Sequence, residues 1–219
     1  MANMRAQAER FGAEMVDDDI IEADLTGDIK TVTDSSGTLR RAKTVIVATG
    51  SGYRKLGLPK EDELSGRGVS WCANGDLHVL RPMRESETSP PTAVRPCDGF
   101  FFRDRDIVVV GGDTAMEEAT FLTRFARSVT VVHRRSTLRA SQVMQNRAFS
   151  DDKISFAFGT GIAELKEADG RLTGLVLRDV LTDRTRDLDT TGLFIAIGHN
   201  PRSELFKGQL DLDDNGYIQ

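Results

Sequence analysis

The sequence predicts an α/β fold with a parallel sheet, and three stretches carry that prediction. In "DIVVVGGDTAMEEATFLTRFARSVTVVHRR", residues 107–110 form an apolar run that stops at Gly111-Gly112. Ala115, Met116, Ala119, Leu122 and Ala126 then recur at helical spacing on one face. Residues 129–132 form a second apolar run. Strand, glycine turn, helix and strand make a βαβ unit, whose strands lie parallel in one sheet. Thr114 and Glu117 have the spacing of a capping box and place the helix start there.

The flanking segments read in order. "MRAQAERFGAEMV" predicts a helix ended by Gly12 and then a short strand. "DIIEADLTGDIKTVTDSSGTLRRAKTVIVATGS" predicts successive short strands, with turns at Thr26-Gly27 and Ser35-Ser36-Gly37. Its end, "KTVIVATG", is a β-branched run over 45–47 that closes on the small residues Ala48, Thr49 and Gly50. A buried strand end beside a ligand has this form, and so does an ordinary core strand. Beyond the βαβ unit, "KISFAFGTGIAELKEADGRLTGLVLRDVLTDRTRDLDTTGLFIAIGHNP" alternates strands with Gly and Asp turns. "RESETSPPTAVRP", within 74–96, has too much proline for a helix interior or a central strand. It predicts an exposed, mobile loop.

Composition narrows the function classes. The chain has 219 residues and a formal net charge of -5, which argues against a general nucleic-acid binder. No apolar run is long enough to span a membrane. "MANMRAQAERFG" lacks the apolar centre of a secretory signal, so a cytoplasmic location is expected. Two cysteines make no disulfide framework. A zinc site needs about four ligands. His78, His133 and His199 are the only histidines, none at a familiar spacing from Cys72 or Cys97, so no metal is expected. An inert buried thiol is the default for either cysteine. Asp98, beside Cys97, leaves open a reactive pair with an acid at hand.

"VGGDTA" can hold a pyrophosphate, because glycines let the backbone approach it and the helix N-terminus attracts it. In G-x-G-x-x-G/A spacing, Gly112 and Ala115 align but the first glycine position falls on Val110, so the turn reads as one residue short. A plain strand-to-helix turn has the same sequence. About 20 residues on, an NAD-binding unit usually presents an acid to the ribose. This chain presents His133, Arg134 and Arg135, then Arg139. Arginines grip the extra phosphate of NADP with paired hydrogen bonds. A solvated basic turn is the alternative. Gly111, Gly112, Asp113, Thr114, His133, Arg134, Arg135 and Arg139 are thus the candidate NADPH-binding residues.

"GRGVSWCA…CDGFFFRDRDIVVVGGDTAMEEATFLTRFARSVTVVHRRSTLRAS", with "TVIVATGS" before it and "GLFIAIGHNPRSELF" after it, resembles bacterial low-molecular-weight thioredoxin reductases of the actinobacterial type. The resemblance covers nearly the whole chain outside 74–96. It implies a Rossmann-like, two-domain FAD/NAD(P)-binding disulfide reductase fold and a flavoprotein that passes reducing equivalents from NADPH through FAD to a redox-active disulfide and on to thioredoxin or a thioredoxin-like protein. It implies a homodimer. Cys72 and Cys97 match the redox cysteines and Asp98 the adjacent acid. Ala48, Thr49, Gly50, Ile197 and Gly198 match positions near the flavin. The implied domains are 1–65, a first FAD-type segment; 66–187, an NADPH domain with the inserted loop 74–96; and 188–219, the return of the FAD-type domain.

The chain departs from the family pattern in several places. A single Thr between the family's cysteines is replaced by 74–96, and one glycine of the NADPH turn is missing. The family's first strand with its G-x-G-x-x-G turn, and its Gly-Asp motif with the final helix, have no counterpart in this sequence. These departures predict an incomplete FAD domain, with exposed apolar surface and an unpaired sheet edge, and an impaired electron path. A non-catalytic NADP(H)-binding module and a degenerate remnant are the alternative readings.

Overall fold

The structure is a computed structural model and describes residues 2–71, 101–138 and 140–219. The loop expected over 74–96, and with it Cys72, Cys97, Asp98 and His78, lies outside the described residues, as does Arg139. The chain divides into two compact units. One comprises Met1–Gly52 with Asn200–Gln219, and the other Tyr53–His199. The divisions fall at 52/53 and 199/200, against sequence expectations of 65/66 and 187/188.

The first unit begins with helix α1, Ala2–Arg10. Strands β1 (Ile20–Asp24), β2 (Lys30–Asp34) and β3 (Leu39–Ala42) then form an antiparallel meander, joined at the turns that the glycines predict. Asp34 secures the second turn, accepting hydrogen bonds from Ser36 Oγ (2.6 Å) and the Thr38 N–H (2.8 Å). The returning C-terminal segment is tied to β1 by one side chain. Gln209 Oε1 accepts from the Leu25 N–H (2.7 Å) and Gln209 Nε2 donates to the Ala23 carbonyl (2.8 Å). The core here is thin, because the buried apolar side chains of this unit are Ala23 and Phe206. Phe11 and Ile46 are 82% and 92% exposed.

Strand β4 (Ser51–Tyr53) leads into the second unit. This unit contains β5 (Val69–Ser70), β6 (Asp106–Gly111), α2 (Asp113–Leu122), β7 (Ser128–His133), α3 (Gln142–Phe149) and β8 (Ile154–Phe158). It continues with β9 (Thr160–Ala168), β10 (Arg171–Asp179), β11 (Thr185–Asp189) and β12 (Gly192–Ala196). β13 (His199–Pro201) follows and pairs with β4. A five-stranded parallel sheet of order β5-β12-β6-β7-β8 is the frame, and β9, β10 and β11 form a separate antiparallel sheet.

Successive side chains of a strand point to opposite faces, and the buried strands use both. Ile107, Val109, Val129, Val131 and Phe194 pack with Ala115, Met116, Ala119 and Leu122 of α2. Val108, Val110, Val132, Leu193 and Ile195 pack with Leu165, Leu172, Leu175 and Leu177 of the antiparallel sheet. The unit is therefore three layers: helices, parallel sheet, antiparallel sheet. Each fully buried Leu or Val contributes roughly 1.5–3 kcal/mol, so stability is concentrated here. The β9–β10 hairpin turns through Asp169-Gly170, both at positive φ (53° and 70°), the pairing that a two-residue type I′ turn requires.

Three expectations are corrected. Residues 44–50 precede β4 without forming a strand, and Ile46 is exposed. A β-branched run becomes a strand only when a neighbour accepts its backbone hydrogen bonds, and no described strand does so. The short strand expected after α1 is likewise absent over 13–17. The capping box does not form either. Gly112 is the N-cap with no side-chain bond, so Thr114 already lies inside the helix, where its hydroxyl is out of register for capping. Helix α3 was not foreseen. It is short and largely polar, and its one legible signal is its N-cap, Ser141, whose hydroxyl accepts from the Met144 N–H at 3.4 Å.

Candidate functional site

The winding of the parallel sheet creates a distinctive edge. From β6 the chain runs outward through β7 to β8, while β12 and β5 lie on the other side. The strand order thus reverses between β6 and β12. In open α/β sheets, ligands bind at the carboxyl ends of the strands where the order reverses. Gly111-Gly112 lies at that end of β6, Ile197-Gly198 follows β12, and His133-Arg134-Arg135 is at that end of β7.

Gly111 is required by a close approach. A Cβ there would lie 2.1 Å from the carbonyl oxygen of Ala196, its register partner in β12, and 3.0 Å from Ala115 Cβ. Val110 is buried within β6, and α2 begins at Asp113, so Gly112 alone makes the turn. The first N–H groups of a helix have no partner within it, and those of α2 open onto this edge. Asp113 and Thr114 are exposed in its first turn.

His133 is buried, and both of its ring nitrogens face backbone carbonyls. Nδ1 is 2.6 Å from Gly111 O, and Nε2 is 3.1 Å from Thr137 O. Arg134 and Arg135 are exposed, and neither guanidinium forms an ion pair with a described residue. The Arg135 carbonyl accepts from the Gly159 N–H (3.1 Å), which fixes the backbone of that basic loop against the end of β8. Together these features offer a helix N-terminus to a pyrophosphate and exposed cations to a further phosphate.

The ion pair at the other end of β6 has a structural task. Asp106 accepts from Arg127, and from Ser128 Oγ at 2.7 Å, and these bonds pull its carboxyl down to about 2. Both partners are largely exposed, so screening leaves that pair little net worth.

The family that fits this edge is described as "Pyridine nucleotide-disulphide oxidoreductase", and it matches residues 7–219. The chain belongs to that family. It is 64% identical over its whole length to a thioredoxin reductase of Streptomyces clavuligerus and 61% identical to one of Streptomyces coelicolor. It spans 61% of the length of each. Among solved structures it is similar to a thioredoxin reductase from Lactococcus lactis, with TM-score 0.75 and 34% identity. That match covers 99% of this chain and 64% of the other. A thioredoxin reductase from Streptococcus pyogenes gives TM-score 0.72 at 37% identity, with 99% and 64% covered. The two-domain Rossmann-like α/β fold expected from the sequence is the fold of this family.

Within this family member the candidate residues fall into groups. Gly111, Gly112, Asp113, Thr114, His133, Arg134, Arg135, Ile197 and Gly198 share the second unit and its carboxyl edge. Ala48, Thr49 and Gly50 belong to the first unit. There Thr49 Oγ1 donates to the Arg202 carbonyl (2.6 Å), and the Gly50 carbonyl accepts from the Arg202 N–H (3.0 Å). Among the described residues no cluster of His, Cys, Asp or Glu suits a metal ion. No helix among them is long and apolar enough to cross a membrane.

Glu118 escaped the sequence reading. It lies on the flank of α2, half-buried, and its Oε2 has no hydrogen-bond partner among the described residues. Desolvation first, and then the charge of Glu117, push its carboxyl up to about 7. The sequence signal was present: a Glu directly before the buried Ala119, between Ala115 and Leu122, cannot be fully solvated.

Proposed function

We propose that the second unit binds NADPH at the carboxyl edge of its parallel sheet and that the chain serves an NADPH- and FAD-dependent disulfide reduction of the thioredoxin reductase type. The observation that carries this reading is the pair of exposed guanidiniums, Arg134 and Arg135, without an ion pair among the described residues, on a loop tied to the same edge as the glycine turn. The residues suit the cofactor: Gly111 and Gly112 leave room for a pyrophosphate, and the α2 N-terminus favours its charge. Arg134 and Arg135, with Arg139, would grip the 2′-phosphate. Ala48, Thr49, Gly50, Ile197 and Gly198 are assigned to the flavin. NADPH supplies a hydride, and FAD supplies the relay between that two-electron donor and a disulfide.

Cys72 and Cys97 are assigned as the redox pair, with Asp98 as the acid that protonates a departing thiolate. The protein substrate assigned is thioredoxin or a thioredoxin-like protein. A cytoplasmic homodimer belongs to the same proposal.

The test is nucleotide binding by calorimetry on the whole chain. NADPH is expected to bind more tightly than NADH by roughly 10- to 100-fold, the worth of charge-assisted hydrogen bonds to one phosphate. Arg134→Ala with Arg135→Ala is expected to remove the difference and leave NADH binding unchanged. Equal affinities in the unaltered protein refute the assignment.

A further inference from the structure

We infer that His133 is not itself a ligand of the nucleotide but a positioning residue that clamps the glycine turn to the arginine loop, and that the preference for NADPH depends on this clamp. The inference rests on the NADPH reading above and assigns the loop's geometry to a residue buried beneath it.

The ring spans the end of β6 and the loop after β7, beyond the last registered pair of those two strands, Val110 with Val132. Its Nδ1 side holds the carbonyl of Gly111, at the end of β6, at 2.6 Å. Its Nε2 side holds the carbonyl of Thr137, in the loop that carries Arg134 and Arg135, at 3.1 Å. Both partners are carbonyl oxygens, which only accept; a neutral ring donates to one of them, through whichever nitrogen carries the hydrogen, and only a doubly protonated ring donates to both. The side chain is 8% exposed, with its ring edge against Phe158 at 6.4 Å between centroids and an interplanar angle of 89°. A Cβ on Gly112 would stand 3.8 Å from His133 Cε1, so the ring lies directly beneath the turn.

With both nitrogens engaged and the ring enclosed, the imidazole has no polar edge to offer a phosphate. What it can do is fix a separation. A dinucleotide touches the glycine turn with its pyrophosphate and the basic loop with its ribose phosphate, and those two points are a fixed distance apart in the ligand. The loop is pinned from two directions: Arg135 O by the Gly159 N–H, and Thr137 O by His133. The pin to Gly159 ties the loop to the end of β8, whereas His133 ties it to the turn. Groups that act as one unit show non-additive mutational effects, and that is the signature to seek.

The experiment measures the ratio of NADH to NADPH dissociation constants for the unaltered chain, for His133→Phe, for Arg134→Ala/Arg135→Ala, and for the triple variant. His133→Phe keeps a planar ring and removes both ring nitrogens. The ratio is expected to fall at least 5-fold in His133→Phe, and to change less than 2-fold when the same substitution is added to the arginine-less background. His133→Asn and His133→Gln, which retain a donor near the Nδ1 and Nε2 positions respectively, hold only one loop each and are expected to lower the ratio as well. They keep the test available if the Phe variant does not fold, as judged by circular dichroism. An equal fall in the arginine-less background would mean that His133 touches the phosphate directly, and would overturn the clamp. An unchanged ratio in all folded His133 variants would overturn it too. A ratio near one in the unaltered protein would instead remove the NADPH reading beneath it.

Discussion

Gly111→Ala is expected to destabilise the second unit by about 3 kcal/mol, at the upper end of what overpacking a core costs. The added methyl would lie 2.1 Å from the Ala196 carbonyl oxygen and 2.8 Å from its carbon. These are backbone atoms of β12, which is paired to strands on both sides and cannot withdraw. A flexible side chain would yield; a central strand must break its ladder or push β6 aside. Urea denaturation followed by the circular dichroism of the folded chain reads the loss directly. A change below about 0.5 kcal/mol, within the range of ordinary surface substitutions, would show that the approach relaxes. On the proposed NADPH reading, nucleotide binding should weaken with it, because the glycine turn begins at that residue.

Glu118→Gln is expected to abolish a pH dependence worth about 3 kcal/mol. The Glu118 carboxyl is raised from 4.5 to about 7, first by burial and then by Glu117. Between those values the folded chain holds a proton that the unfolded chain has released, so stability falls as pH rises through that window. Below 4.5 both states are protonated and the penalty vanishes. A gap of about 2.5 pH units, at ~1.4 kcal/mol each, gives the magnitude. The Gln variant should match the parent near pH 4 and exceed it near pH 8. Parallel stability curves for the two proteins from pH 4 to 8 would count against a desolvated carboxyl at this position.

Much of the second unit was legible in the sequence because its signals are local and periodic. The face of Ala115, Met116, Ala119 and Leu122 is buried as its spacing implied, and the runs over 107–110 and 129–132 are parallel strands of one sheet. The failures share a physical cause. Residues 44–50 have strand composition, but strand formation depends on a neighbour, which composition does not reveal. The box at Thr114 and Glu117 has the right spacing, but the sequence leaves its register open by two residues. At the candidate site, the sequence placed the glycines and arginines at strand ends, and they do lie at the carboxyl edge of one sheet. The setting of His133 could not be read, because a histidine next to two arginines reads as one more cation. Only the fold shows its two nitrogens turned inward to carbonyls.

The contrast between the two units has a thermodynamic consequence. A segment with Ala23 and Phe206 as its buried apolar side chains recovers little hydrophobic free energy against the entropy of ordering. The three-layered unit recovers a great deal. The chain therefore consists of two cooperative blocks of unequal depth, and the meander of β1, β2 and β3 opens at a lower free energy than the parallel sheet. A single melting temperature does not describe such a molecule. Partially opened chains, with the parallel sheet intact and the meander undone, are its first excited state.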